Sequence, residues 1–293
     1  MKRKFISTFV ALLLIIQLYE GVGTELFNYK WVGLSTVAEA ATVVKVYSEK
    51  ELIDTIYTQL LNRTESITVK YSLPDYELDF NKLFDEVLSI DSEDTAKDGD
   101  YLNYSLRSWD AQGKMLGRDT TLYLDFTYKT TQREEQAVDQ KVKSVLKGLK
   151  LEDASDYKKV KVIHDYIINR VSYDKKLVKA SAYDALISKT AVCEGYSMLA
   201  YLMFTEAGLE TRIIPGNGNG RPHAWNIVKV KGKWYNIDLT WDDPISSGGE
   251  PMLVYNFFLK NTKDFTGHKR DAEYKTEEFV KNYPISKTSY KMK

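Results

Sequence analysis

The stretch Ala191–Pro244, "AVCEGYSMLAYLMFTEAGLETRIIPGNGNGRPHAWNIVKVKGKWYNIDLTWDDP", decides the fold. It reads as one apolar helix followed by three strands. Tyr196, Leu199, Ala200, Met203 and Ala207 recur at helical spacing, and Gly208 suits the stop. Thr190 is placed to cap a helix that begins near Cys193. "LETRIIPG" follows as a strand. "RPHAWNIVKV" and "KWYNIDLTW" alternate around Lys231-Gly232, so they pair as an antiparallel hairpin. With a two- or four-residue loop, His223 faces Thr240 and Asp238 lies diagonally beside it on the same face, roughly 7–8 Å away. A three-residue loop without a bulge would put His223 and Asp238 on opposite faces.

Cys193 is the chain's single cysteine. It cannot make an internal disulfide, so it is a buried apolar residue, an intermolecular partner or a reactive thiol. The first turn of a helix favours a thiolate through its free N–H groups and dipole. Packing alone also explains a cysteine on a buried helix, and position leaves both readings open. The neighbouring strands add what a thiol nucleophile needs. An imidazole of suitable pKa acts as base, and a carboxylate fixes its tautomer and steadies its cation. The chain has only three histidines. His164 falls on a helix and reads as a packed or capping residue. His268, in "TGHKRD", reads as a loop histidine. Trp225 shares the strand face of His223 and either walls a cleft or fills the core.

The helix-opening Cys, the "HAWN" strand and the "WYNID" strand together resemble the transglutaminase-like superfamily, particularly its secreted bacterial members. The upstream "VIHDYIINRVSYD" and "SAYDALISKTAVCEGY" share the likeness, which covers roughly residues 155 to 260. The resemblance implies an α+β, papain-like core: a nucleophile helix packed on an antiparallel sheet. It implies acyl transfer through a thioester on a protein or peptide carboxamide, giving crosslinking, deamidation or peptide cleavage. Cys193 would be the nucleophile, His223 the base and acid, and Asp238 the residue that orients His223. The Cys193 N–H suits an oxyanion donor, with Tyr183 as a candidate second donor. Val192-Cys193-Glu194 departs from the Q-C-W setting of animal crosslinking enzymes, so calcium dependence and glutamine specificity do not carry over. No metal and no cofactor are expected, and Asp242, Asp243 and Glu250 read as a solvated acidic loop. A non-catalytic cell-surface binding module using an inherited cleft is the alternative. A structural envelope protein dimerised through Cys193 is a third reading.

"PGNGNGRPH" is not a nucleotide fingerprint, because a strand rather than a helix follows the glycines. It reads as a flexible loop bordering the site.

The remainder sets domains and location. "MKRK", the apolar Phe5–Leu18 run and the Ala38-Glu39-Ala40 site read as an export signal over residues 1–40. The apolar run is shorter than the roughly 20 residues of a spanning helix. An uncleaved N-terminal anchor is the other reading. Residues 41–130 read as a small α+β unit: a helix over Ser48–Arg63 with a Ser48/Glu51 capping box, a strand in "ESITVKYSL", a helix in "NKLFDEVLSI" and a turn in "SEDTAKDGD". "YLNYSLRSWD" and "DTTLYLDFTYKT" then form a hairpin separated by "AQGKMLGR". Residues 131–293 make the transglutaminase-like domain. Basic and acidic side chains number 41 each, which argues against a whole-protein field for nucleic acid or anionic lipid. The expected partner is a protein or peptide substrate, cell-wall-associated ones included. No nucleic acid is expected, and no membrane span after cleavage. The expected location is secreted or loosely attached to the cell envelope.

Overall fold

Ser48 accepts a hydrogen bond from the Glu51 N–H and opens helix α1 (Glu49–Leu61), whose Leu52, Ile56 and Leu60 are fully buried. Glu51 completes this start by accepting from the Tyr47 N–H at 2.7 Å rather than from Ser48. The computed structural model describes residues 42–71, 79–92, 95–116, 119–244 and 252–291. The export signal at 1–40 and Glu250 lie outside the described residues.

The N-terminal half is a sheet covered by helices. Its strands are β1 (Thr42–Val46), β2 (Ser66–Tyr71), β3 (Leu106–Leu116) and β4 (Asp119–Tyr128), in the order β1-β2-β4-β3. Strand β1, which the sequence reading lacked, runs parallel to β2, and the other pairs are antiparallel. Helix α2 (Phe80–Leu88) is capped by Asp79 and buries Leu83, Phe84 and Val87 against this sheet. Two expectations change here. "YLNYS" is not strand but the body of helix α3 (Gly99–Ser105). Gly99 at φ +49° turns the chain into it. The three-residue spacing of Tyr101 and Tyr104 sends both into the larger C-terminal core, while Leu102 enters the smaller one. "AQGKM" is not a separator either: β3 continues through it, paired with β4.

A reciprocal Thr131/Glu134 capping box starts α4 (Gln132–Leu149), and α5 (Asp156–Ile168) follows. A two-residue strand, β5 (Ser172–Tyr173), pairs in parallel with β6 (Thr190–Ala191), with α6 (Ala182–Leu186) between them. Thr190 therefore belongs to a strand and is not a cap. Helix α7 (Cys193–Glu206) takes Val192 as N-cap, with no side-chain bond there.

The second sheet contains β7 (Thr211–Gly218), β8 (Arg221–Val230), β9 (Lys233–Ile237) and β10 (His268–Arg270), in the order β10-β7-β8-β9. On β8, Ala224, Val228 and Val230 face the core that contains α7, while Trp225 and Ile227 face a second cluster with Phe265. The Asn226 side chain donates to the Ser197 carbonyl of α7 at 3.1 Å, which pins helix to sheet. A short helix, α8 (Glu277–Asn282), lies near the chain's end. No helix among the described residues is long and apolar enough to cross a membrane.

Candidate active site

The β8–β9 hairpin settles the relation of His223 to Asp238. Lys231 and Gly232 form a two-residue loop with φ +50° and +73°, the positive values a tight hairpin turn needs. Asn226 consequently pairs with Ile237 and Val230 with Lys233. Asp238 follows the last paired residue of β9, and its Oδ2 stands 2.7 Å from His223 Nε2. Its Oδ1 accepts from the Thr240 and Trp241 N–H groups at 2.9 and 3.2 Å. Asp238 is 1% exposed and His223 9%. Burial disfavours the charged Asp238, but the charge and hydrogen bond of His223, with a bond from His268, lower its pKa to about 2. Burial likewise opposes a charged His223. The Asp238 charge and hydrogen bond, then the hydrogen bond and charge of Cys193, outweigh it and raise His223 to about 10.

Cys193, partly exposed, opens α7 beside this pair. Its helix position leaves the first-turn N–H groups without intrahelical acceptors. The start of α7 is braced by the preceding segment: the Val192 N–H donates to the Lys179 carbonyl at 2.8 Å. Asp174 shapes that segment by accepting from the N–H groups of Lys176, Val178 and Lys179. The tyrosine that senses the thiol is Tyr173, whose phenol is pushed up by burial and then by the charge of Cys193. Tyr183 sits on α6 and packs at the edge of the larger core. The local pattern around Tyr173 offered no signal for its role, because its place comes from the two-residue β5–β6 pairing.

Four other sequence readings meet the structure here. His164 is packed, as expected: it is fully buried, with Nδ1 3.0 Å from Asp165 and Nε2 3.2 Å from Asp242. Asp242 is thereby a buried strut and not part of a solvated loop; it also accepts from the Phe257 N–H at 2.8 Å. Asp243 accepts from the Tyr196 hydroxyl at 2.6 Å. The glycine stretch is also different. Gly216 and Gly218 lie in β7, opposite His223 and Arg221, and the turn is Asn219-Gly220. They are small because the β10 backbone and aromatic rings cover them. A Cβ on Gly216 would stand 2.3 Å from the Lys269 carbonyl oxygen and 2.8 Å from Trp225, and one on Gly218 would stand 2.9 Å from Trp241 and 3.0 Å from the His223 ring. Trp225 is 1% exposed and backs His223 as core, with ring centroids 6.1 Å apart.

His268 is the residue that sequence reasoning missed. It belongs to β10, pairs opposite Gly218, and places Nε2 2.9 Å from Asp238 Oδ2. His223, Asp238 and His268 are the grouping among the described residues whose ligand-type atoms could gather on a metal ion. Those atoms are bonded to one another, both imidazoles to one carboxylate oxygen, so the set reads as a hydrogen-bonded charge cluster.

Comparison with known proteins places part of the chain near one family. Residues 143–239 match the family described as the transglutaminase-like superfamily, a span that includes Cys193, His223 and Asp238. The human kyphoscoliosis peptidase is 28% identical over 133 residues, covering 39% of this chain and 20% of that protein. The mouse kyphoscoliosis peptidase is 26% identical over 124 residues, covering 36% and 19%. The chain thus spans about a fifth of the length of these relatives. A crystal structure described as a TGase aligns with 18% identity and a TM-score of 0.35, over 67% of this chain and 58% of that one.

Proposed function

We propose that this chain, which carries a transglutaminase-like core over residues 143–239, is an exported cysteine acyl-transfer enzyme acting on protein or peptide carboxamides. The observation that carries the reading is the buried 2.7 Å contact of His223 with Asp238, set against the one cysteine of the chain at a helix start. The electrostatics support a protonated His223 beside Cys193, favoured by Asp238 first and by Cys193 second.

The steps follow from those groups. Cys193 Sγ attacks the carbonyl carbon, and the C–N bond breaks as the thioester forms. His223 gives its proton to the departing amine or ammonia. An incoming amine or water then attacks the thioester carbonyl while His223 takes its proton. The C–S bond breaks, and the thiolate–imidazolium pair returns. Asp238 keeps the imidazole in one tautomer and orientation throughout. The first-turn N–H groups of α7 are placed to receive charge on the carbonyl oxygen. Both curated relatives are named peptidases, which favours water as the acceptor. Export rests on the basic, apolar and Ala-x-Ala pattern of residues 1–40.

The test is the pH dependence of Cys193 alkylation in the native sequence and in His223→Ala. Rapid labelling well below a free-thiol pKa of about 8.5, slowed at low pH in His223→Ala, is expected. Slow labelling indifferent to His223 would replace the enzyme with a binding module. If the thiol behaves as expected, incubation with a glutamine peptide and a labelled amine follows. Mass spectrometry then separates crosslinking, deamidation and cleavage.

A further inference from the structure

His268 carries a second constraint on the same site. Its Nδ1 stands 3.0 Å from the Thr266 carbonyl oxygen, which only accepts. Its Nε2 stands 2.9 Å from Asp238 Oδ2, which in an ionised carboxylate also only accepts. A neutral imidazole has one N–H and cannot satisfy both. Oδ2 also receives His223 Nε2, and Oδ1 is taken by the Thr240 and Trp241 N–H groups. Four donors converge on one carboxylate, which suits the anion. The ring is held in this pose by aromatic neighbours: Phe265 stacks on it with centroids 3.9 Å apart, and Trp241 lies at 4.1 Å. Its side chain is 1% exposed, so solvent does not offer an alternative partner.

We propose that His268 is a positioning residue acting through Asp238: as an imidazolium it shares Oδ2 with His223 and limits the negative charge that Asp238 presents to His223. This rests on the acyl-transfer reading above. Asp238 favours the protonated His223 and so opposes release of the catalytic proton. A second cation on the same oxygen moderates that pull. The rings of His223 and His268 lie 5.5 Å apart, so each feels the other's charge directly. The other ionisable groups around them are Cys193 beyond His223, Tyr173, Arg221 and Asp174 on the thiol side, and Asp242 next along from Asp238. Arg270, on the same strand as His268, is engaged with Asn236 at 2.9 Å. The packed elements otherwise meet His268 with Trp225, Trp241, Phe257 and Phe265.

Three histidines make the test direct. Ring-nitrogen NMR of the full chain labelled with 15N-histidine is recorded against pH, for the native sequence, His268→Gln and Cys193→Ala. Protons on both ring nitrogens of His268 at neutral pH are expected. His268→Gln keeps a donor to Asp238 but removes the cation. The His223 midpoint should then rise by about one pH unit or more, with the upper limb of the kcat/KM profile moving alongside. A neutral His268 tautomer in the native protein overturns the proposal whether or not the variant folds. So does an unmoved His223 midpoint in a folded His268→Gln. Failure of the enzyme reading looks different: the native His223 would titrate as an ordinary histidine and be unaffected by Cys193→Ala.

Discussion

Asp238 uses both carboxylate oxygens, one toward the imidazoles and one toward the backbone of the turn that follows it. Replacing it with Asn keeps the shape and removes the charge. His223 should then titrate well below about 10, closer to the ordinary value of 6.5, and kcat/KM should fall by about three to four orders of magnitude. Stability gives an independent check with a defined sign. The folded Asp238 pKa is depressed from 3.8 to about 2, so its contribution is present above the first value and lost as pH falls through the second. The folded His223 pKa is raised from 6.5 to about 10, so its contribution is present below 6.5 and lost as pH rises through about 10. The same ion pair underlies both, so the two limbs report one interaction seen from either partner. The Tm advantage of the native protein over Asp238→Asn should therefore peak between these limbs and shrink toward both extremes. A constant difference from acid to alkaline pH would mean that Asp238 acts by packing alone.

At the scale of elements, α7 positions Cys193 only because Gly195 lets its first turn approach α6. A Cβ there would stand 2.6 Å from Ala191 Cβ and 2.9 Å from the Ser181 carbonyl oxygen. Neither is a flexible side-chain end. Gly195→Ala should shift the start of α7, cost about 1–3 kcal/mol in urea unfolding and reduce Cys193 alkylation by more than its fraction unfolded explains. Unchanged alkylation in the folded variant would show that the thiol is positioned from elsewhere. The elements that bear the site divide by how local their causes are. Helix α7 and the β8–β9 hairpin were legible because apolar spacing and the Lys231-Gly232 turn act within a few residues. Once the turn length is two, the register that joins His223 to Asp238 follows. The β10 strand was not legible, since three residues have no period and their pairing with β7 spans a long loop. His268 therefore looked like a loop residue. Gly216 and Gly218 looked like loop glycines because a strand glycine kept small by close backbone and ring neighbours reads in sequence like a flexible one. In "YLNYS", alternation and helical spacing coincide over five residues, and only the two flanking cores select the helix.

For the whole molecule, the question is what makes the N-terminal sheet and the site-bearing sheet one structure. Asp100 on α3 answers with three bonds: it accepts from Arg212 Nε and a second guanidinium nitrogen at 2.7 Å each, and from the Ile213 N–H at 2.7 Å. Arg212 also bonds the Tyr283 hydroxyl and lies 4.8 Å over the Tyr283 ring, tying in α8. Burial alone would lower the Arg212 pKa, but the Asp100 bond and charge more than offset it and push it up. Such a bidentate pair is strong mainly because either partner alone is costly to leave in place. Asp100→Ala should lose about 3–5 kcal/mol in urea unfolding, and Arg212→Ala a comparable amount. The double variant should lose clearly less than the sum, because the second removal no longer strands a charge. The probes should separate too. In the native protein, far-UV circular dichroism and the fluorescence of Trp225, Trp234 and Trp241 around the second sheet should give one midpoint. In Asp100→Ala they should diverge if the pair is what couples the two cores. Coincident midpoints with additive losses would instead assign the coupling to the apolar contact of Tyr101 and Tyr104 with the larger core, and make Asp100 a local strut of β7.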